Sequence, residues 1–220
     1  MPHAAHRPSL RDSRRRAGRL AAAAALSLSA VALATPAHAA SSCEVNGVTQ
    51  MGPAINGTAG ADDIVCSSVD AVTVVDSMGG DDTFILTGPV DGRIRMGDGN
   101  DRVALESTAE LTDRGEIDGQ GDQDGFDISG KVLGAVRGGQ DKDRILVYKG
   151  ATMGSRTDLR GAKGDDVIDV ESSVVVQGLV EGNEDNDDIR VGDNEGTVDG
   201  GPGTDHCVVL SGNLPDNCES

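Results

Sequence analysis

The amino-acid sequence predicts an all-β protein, a parallel β-roll or β-helix solenoid of about eight coils. Three observations predict it. One twelve-residue pattern recurs eight times, its apolar residues alternate with a period of two, and glycine and aspartate fill its turns. The 220-residue chain carries 31 glycines, none in a collagen-like period, and only two Phe, one Tyr and no Trp. High charge with so few aromatic residues argues for disorder in general. The regular apolar spacing argues against it here.

The recurring unit is anchored on an aspartate that follows a glycine-rich turn, at Asp62, Asp82, Asp101, Asp124, Asp143, Asp166, Asp187 and Asp205. Two residues later comes Ile64, Phe84, Val103, Phe126, Ile145, Ile168, Ile189 or Cys207. Four residues later comes Cys66, Leu86, Leu105, Ile128, Val147, Val170, Val191 or Val209. This alternation is that of a strand with one buried face. Seven residues before the aspartate stands Ile55, Val75, Ile94, Ile117, Val136, Leu159, Val180 or Val198. A strand therefore enters the turn, the glycines reverse it, and a second strand leaves. Insertions fall only between one unit's last apolar position and the next unit's first, as expected of variable turns on the opposite edge. Stacked coils pair equivalent strands at ~4.8 Å. The expected product is a two-sheet roll over residues 55–209, filled by a narrow ladder of Ile, Val and Leu that has little room for aromatic rings.

The segments outside the repeat read differently. Residues 1–39 predict a secretion signal: six arginines between Arg7 and Arg19, an apolar stretch over residues 20–33, and a small-residue cleavage site at Ala37-His38-Ala39. The apolar stretch is too short and alanine-rich for a membrane anchor. Ser13-Arg14-Arg15 matches a twin-arginine signal poorly, because no bulky apolar residue follows. Residues 40–54 and 210–220 are expected to cap the two ends. The whole chain has a net charge of −18. Cleavage removes six arginines and one aspartate, leaving thirteen basic against thirty-six acidic residues, a net charge of −23. Such a surface disfavours nucleic acid and anionic lipid as partners. Cys43, Cys66, Cys207 and Cys218 lie two near each end and lack CxxC spacing. They predict two local disulfides, Cys43 with Cys66 and Cys207 with Cys218, in an oxidising compartment.

The turn cores resemble the nonapeptide GGxGxDxUx of the RTX (haemolysin-type) calcium-binding repeats. "GGPGTDHCV", residues 200–208, matches throughout, with Cys207 at the apolar position. "GTAGADDIV" and "GAKGDDVID" miss only the second glycine. Ser77 and Met96 replace the first glycine elsewhere, and Asp122, Asp141 and Asp185 replace the fourth. The likeness is to small secreted actinobacterial proteins of this type, and it spans nearly all of the expected mature chain. It implies a β-roll that binds Ca²⁺ through the eight turn aspartates and through backbone carbonyls that the glycines aim inward. Aspartates stacked at ~4.8 Å leave room for an ion that bonds oxygen at ~2.3–2.6 Å. In the "GAKGDDVIDV" turn the liganding residue is then Asp166, with Asp165 facing solvent. In the fourth unit it is Asp124 and not Asp122, because Phe126 and Ile128 set the frame.

No catalytic constellation accompanies the repeat. His206 is the one histidine beyond the signal segment, at an outward strand position, and neither HExxH nor GxSxG occurs. The expected function is therefore extracellular calcium binding without catalysis. Two alternatives stand beside it. One is adhesion to a surface or polymer through the longer connections, residues 106–116 and 148–158. The other is a polysaccharide-modifying enzyme that uses acids near Arg93, Arg95 and Arg102.

Overall fold

Alternating apolar and polar residues let each short segment bury one face, and neighbouring coils supply its backbone partners. The computed structural model describes residues 40–219, so the expected signal, residues 1–39, lies outside the described residues. Twenty-two strands form there and no helix does. The strands leaving the aspartate turns, from Asp63–Ser68 to His206–Gly212, stack in sequence order and in parallel within a ten-stranded sheet. The entering strands, from Ala54–Asn56 to Thr197–Asp199, build an eight-stranded parallel sheet in the same order. Register is kept from coil to coil: Phe84 pairs with Val103, Val103 with Phe126, and Phe126 with Ile145.

The predicted ladder is the core. Ile55, Val75, Ile94, Ile117, Val136, Leu159, Val180 and Val198 are all buried, as are fourteen of the sixteen positions after the aspartates. The other two, Cys207 and Val209, pack against the core only in part, because the last coil has no full neighbour beyond it. Each fully buried Val, Leu, Ile or Phe contributes about 1.5–3 kcal/mol relative to exposure.

The structure corrects the two-sheet expectation. A third parallel sheet of four two-residue strands, Pro89–Val90, Glu110–Leu111, Lys131–Val132 and Thr152–Met153, makes the middle coils three-sided. Val90, Leu111, Val132 and Met153 point inward and are buried, so the connections once read as variable loops carry core residues. Further along, the third side joins the large sheet. Val167–Val176 pairs with Asp188–Asn194 up to Val170, slips, and resumes at Val175.

Both ends are closed by chain that belongs to no full repeat. At the start, Ser42–Val45 and Val48–Met51 form a hairpin around Asn46 and Gly47, whose φ of 52° and 76° suit a tight hairpin turn. Its first strand runs antiparallel to Asp63–Ser68, buries Cys43 and Val45, and carries the Cys43–Cys66 disulfide. At the other end the chain retraces part of a ninth coil. Asp216 bridges to Asp199, Glu219 bridges to His206, and Cys218 is bonded to Cys207. The expected disulfide pairing is the one present. The bonds join residues 23 and 11 apart, loops short enough that each stabilises by only a few kcal/mol.

Leu111 tests the third sheet. Leu111→Ala should cost about 2–5 kcal/mol in denaturant unfolding, the range for a truncated core leucine. A change within about 0.5 kcal/mol would mean that this connection is an exposed loop after all.

Candidate functional site

Each repeat aspartate sits between its reversing turn and its outgoing strand. The turn needs backbone conformations that side chains resist. In most coils the residues four and two before the aspartate have positive φ, as at Gly97 and Gly99 (99° and 125°) or Ala162 and Gly164 (88° and 125°). The aspartates that replace the fourth glycine hold it too: Asp122, Asp141 and Asp185 have φ of 67°, 68° and 79°. Aspartate tolerates this region better than most residues, so these turns keep the shape of the others.

The turns aim all eight aspartates, Asp62, Asp82, Asp101, Asp124, Asp143, Asp166, Asp187 and Asp205, into the stack, where each is 1–3% exposed. They form one column. The backbone N–H of Asp62 donates to Asp82 Oδ1 at 2.7 Å, and Asp82 donates to Asp101 Oδ1 at 2.7 Å. The same bond links Asp101 to Asp124, Asp124 to Asp143 and Asp143 to Asp166, at 2.8, 2.8 and 2.7 Å. Asp166 to Asp187 and Asp187 to Asp205, each at 2.9 Å, complete it. One carboxylate oxygen per coil thus satisfies a backbone donor of the coil before.

In the first coil the second oxygen, Asp62 Oδ2, accepts the Thr58 N–H at 2.6 Å; in the other seven it has no such partner. The Oδ2 atoms of Asp82, Asp101, Asp124, Asp143, Asp166, Asp187 and Asp205 are buried without a hydrogen bond. Those of Asp124, Asp143, Asp166, Asp187 and Asp205 lie against the turn's first glycine. A methyl group on Gly138 would stand 2.3 Å from Asp143 Oδ2 and 2.5 Å from the Gly161 carbonyl oxygen of the next coil. On Gly119 it would stand 2.3 Å from Asp124 Oδ2 and 2.1 Å from the Gly138 oxygen. Gly182 repeats the arrangement with Asp187 and Gly200. In these coils a carboxylate oxygen and a carbonyl oxygen of the next coil therefore both lie close to the first glycine, where a side chain would crowd them. Ser77 and Met96 occupy this position in the second and third coils, and both are buried.

Burial of such oxygens opposes their charge. It pushes Asp124 and Asp143 up to about 8, Asp101 and Asp187 to about 7, and Asp166 to about 6. Asp82 is raised for the same first reason. The N–H bond to each Oδ1 works against burial, and the neighbouring carboxylates add to it for Asp124 and Asp187. Burial thus favours the neutral form of Asp82, Asp101, Asp124, Asp143, Asp166 and Asp187.

The column ends are finished by residues that the repeat pattern does not contain. Asn46 Nδ2 donates to Asp62 Oδ1 at 2.5 Å, replacing the N–H of a missing earlier coil. Glu219 Oε2 accepts the N–H of Asp205 at 2.6 Å, replacing the carboxylate of a missing later one. Neither lies at the repeat spacing, so no period in the sequence marks them.

The remaining sequence candidates fall outside the column. Asp165 is exposed and accepts the N–H and side-chain amide of Asn186. Asp122 is exposed and accepts the Gly99 N–H. His206 is exposed beside Asp188, with Nδ1 and Oδ1 3.1 Å apart. Arg93 and Arg102 pair with Glu116 and Asp127 of the following coils, at 2.7 and 2.5 Å. Among the described residues no three His, Cys, Asp or Glu side chains gather as a ready metal cluster. The column instead brings one carboxylate per coil, so any ion there draws its further oxygens from backbone carbonyls. That donor set, all oxygen with an orphaned carboxylate, fits a hard cation.

The raised pKa values set a pH dependence in chelator. Their contribution to stability is fully present below the ordinary aspartate value of 3.8 and is lost as pH rises through about 8. The Tm of the ion-free chain should accordingly fall between pH 5 and pH 8. Asp143→Asn, which keeps an acceptor for Asp124 and removes the charge, should flatten that fall. Asp143→Ala leaves the buried Asp124 N–H unpaired and should cost about 1–3 kcal/mol more than the Asn variant. A Tm that rises with pH in chelator would contradict the buried column.

Comparison of the chain with protein-family models, with curated proteins and with solved structures gives no match.

Proposed function

We propose that the chain is a secreted, non-catalytic, calcium-binding β-roll of the RTX-like kind, whose folding is coupled to the ion. The observation that carries the proposal is the line of seven buried Oδ2 atoms that have no hydrogen-bond partner. Left ionised, they repel one another inside a chain of net charge −18. Calcium would be held by the eight column aspartates, Asp62 to Asp205, with turn carbonyls such as those of Gly138, Gly161 and Gly200. It would supply positive charge where burial makes the bare carboxylates unstable. The chain's own part is to align the oxygens and to keep competing donors away from them.

Export is part of this proposal. Two disulfides suit an oxidising compartment. Among the described residues no helix is long and apolar enough to cross a membrane. Extracellular calcium modules bind at about 10⁻⁴–10⁻³ M, so a chain of this kind stays unfolded before export and folds outside.

Circular dichroism with and without calcium tests the coupling. The mature chain should be largely unfolded in chelator at neutral pH and gain β structure as calcium is added. An unchanged β spectrum in excess chelator would refute it. Position along the column gives a finer test. Asp143 lies between Asp124 and Asp166, whereas Asp205 has one repeat neighbour and the Glu219 side chain. Asp143→Ala should move the calcium folding midpoint further than Asp205→Ala and lower its cooperativity, as nearest-neighbour coupling in a solenoid requires. Equal shifts would mean that the sites act independently.

A further inference from the structure

The outer face of the ten-stranded sheet carries a feature that neither the repeat nor the aspartate column explains. The residue after each column aspartate points outward, and in adjacent coils this row reads Thr83, Arg102, Gly125, Arg144 and Val167. Gly125 leaves a gap between two arginines that stand two coils, or about 9.5 Å, apart. Nothing in the backbone demands glycine there. Its φ is not left-handed, and an added methyl would meet no atom nearer than 3.8 Å. The gap opens into a groove of about 780 Å³, lined among others by Asn100, Arg102, Gln123, Lys142, Arg144 and Tyr148.

The groove's charges are arranged unevenly. Arg102 is fixed on Asp127 Oδ2 by Nε at 2.7 Å and Nη2 at 2.5 Å. Tyr148, the chain's one tyrosine, donates its hydroxyl to Asp127 Oδ1 at 2.6 Å and stays 42% exposed. Its ring is therefore held in place at the surface. Lys142 and Arg144 form no salt bridge among the described residues, although the Lys142 charge is felt by Asp165 and Asp166. Two cations outside any salt bridge, a pinned aromatic ring and two exposed amides share one cleft.

We propose that this groove binds a carboxylated polysaccharide. Uronate carboxylates would lie on Arg144, whose guanidinium can bond them in bidentate fashion, and on Lys142. A sugar ring would lie against Tyr148, with hydroxyls in reach of Asn100 and Gln123, the mix of aromatic surface and few polar groups that ligand clefts use. The chain's overall negative charge does not forbid this, because salt confines that repulsion to about 8 Å while the two cations are in contact. A polymer of phosphates alone would make no use of the ring. The groove also borders Asp101, Asp124 and Asp143 of the column, whose side chains are buried, and Asp127, which Arg102 and Tyr148 already engage.

The test is calorimetric titration of the mature, disulfide-bonded chain in saturating calcium with a short oligogalacturonate. Heats of the oligosaccharide with calcium alone are subtracted. A neutral oligosaccharide and a polyphosphate serve as comparison probes. The oligogalacturonate should bind and the other two should not. Arg144→Glu should weaken binding at least about tenfold, the loss of one hydrogen bond to a charged group. Gly125→Leu, which fills the groove without backbone strain, should do the same while the β spectrum is unchanged. Arg156→Glu makes the same charge change beside Asp113, away from the groove, and should leave affinity within about twofold. Absent binding overturns the proposal, as do equal affinities for wild type and groove variants. Polyphosphate binding as tight as that of the uronate would mean a general polyanion patch and overturns it too.

Discussion

Every coil of this protein depends on one hydrogen bond, from the backbone N–H of a turn aspartate to the Oδ1 of the aspartate one coil later. The bond ties consecutive coils at the turn edge, beside backbone bonds such as the one from the Thr83 N–H to the Asp62 carbonyl at 2.9 Å and ladder pairs such as Gln120 with Gly139. It also imposes a cost. Holding a carboxylate by one oxygen inside the stack buries the other without a donor, and that burial raises Asp124 and Asp143 to about 8. The geometry that stacks the coils also buries carboxylate oxygens without donors, which disfavours their ionised form.

The rest of the architecture follows from that column. Parallel stacking at a fixed register carries Ile, Val and Leu into a ladder on two sides, and the third side closes the middle coils. Because each coil touches only its neighbours, the energetics are near one-dimensional and the ends are the weak places. Both ends are sealed in the same currency as the interior. Asn46 and Glu219 complete the aspartate bonds, and each sits close to a disulfide-linked segment.

Much of this could be read in the sequence, for a physical reason. A solenoid repeats its environment every coil, so Ile64, Phe84 and Val103, which share one environment, share one chemistry. The same logic picked out all eight aspartates and separated Asp124 from Asp122. It failed where the environment does not repeat visibly. Val90, Leu111, Val132 and Met153 fall at 21-residue intervals, with Val69 and Val174 at the same interval beyond them. That period was present, but a two-residue strand offers one buried side chain and no alternation to betray it. The Oδ1 bonds were invisible because an aspartate that ligates an ion and one that accepts an N–H look alike in sequence. Asn46 and Glu219 each occur once and have no period at all.

The claim that a cation neutralises the buried column is tested most directly by anomalous diffraction from crystals of the mature chain grown in calcium. The account predicts a line of anomalous peaks along the turn edge, about 2.3–2.6 Å from the Oδ2 atoms that lack hydrogen bonds. Oδ2 atoms that instead donate protons to the glycine carbonyls, with no anomalous density beside them at neutral pH, would contradict it.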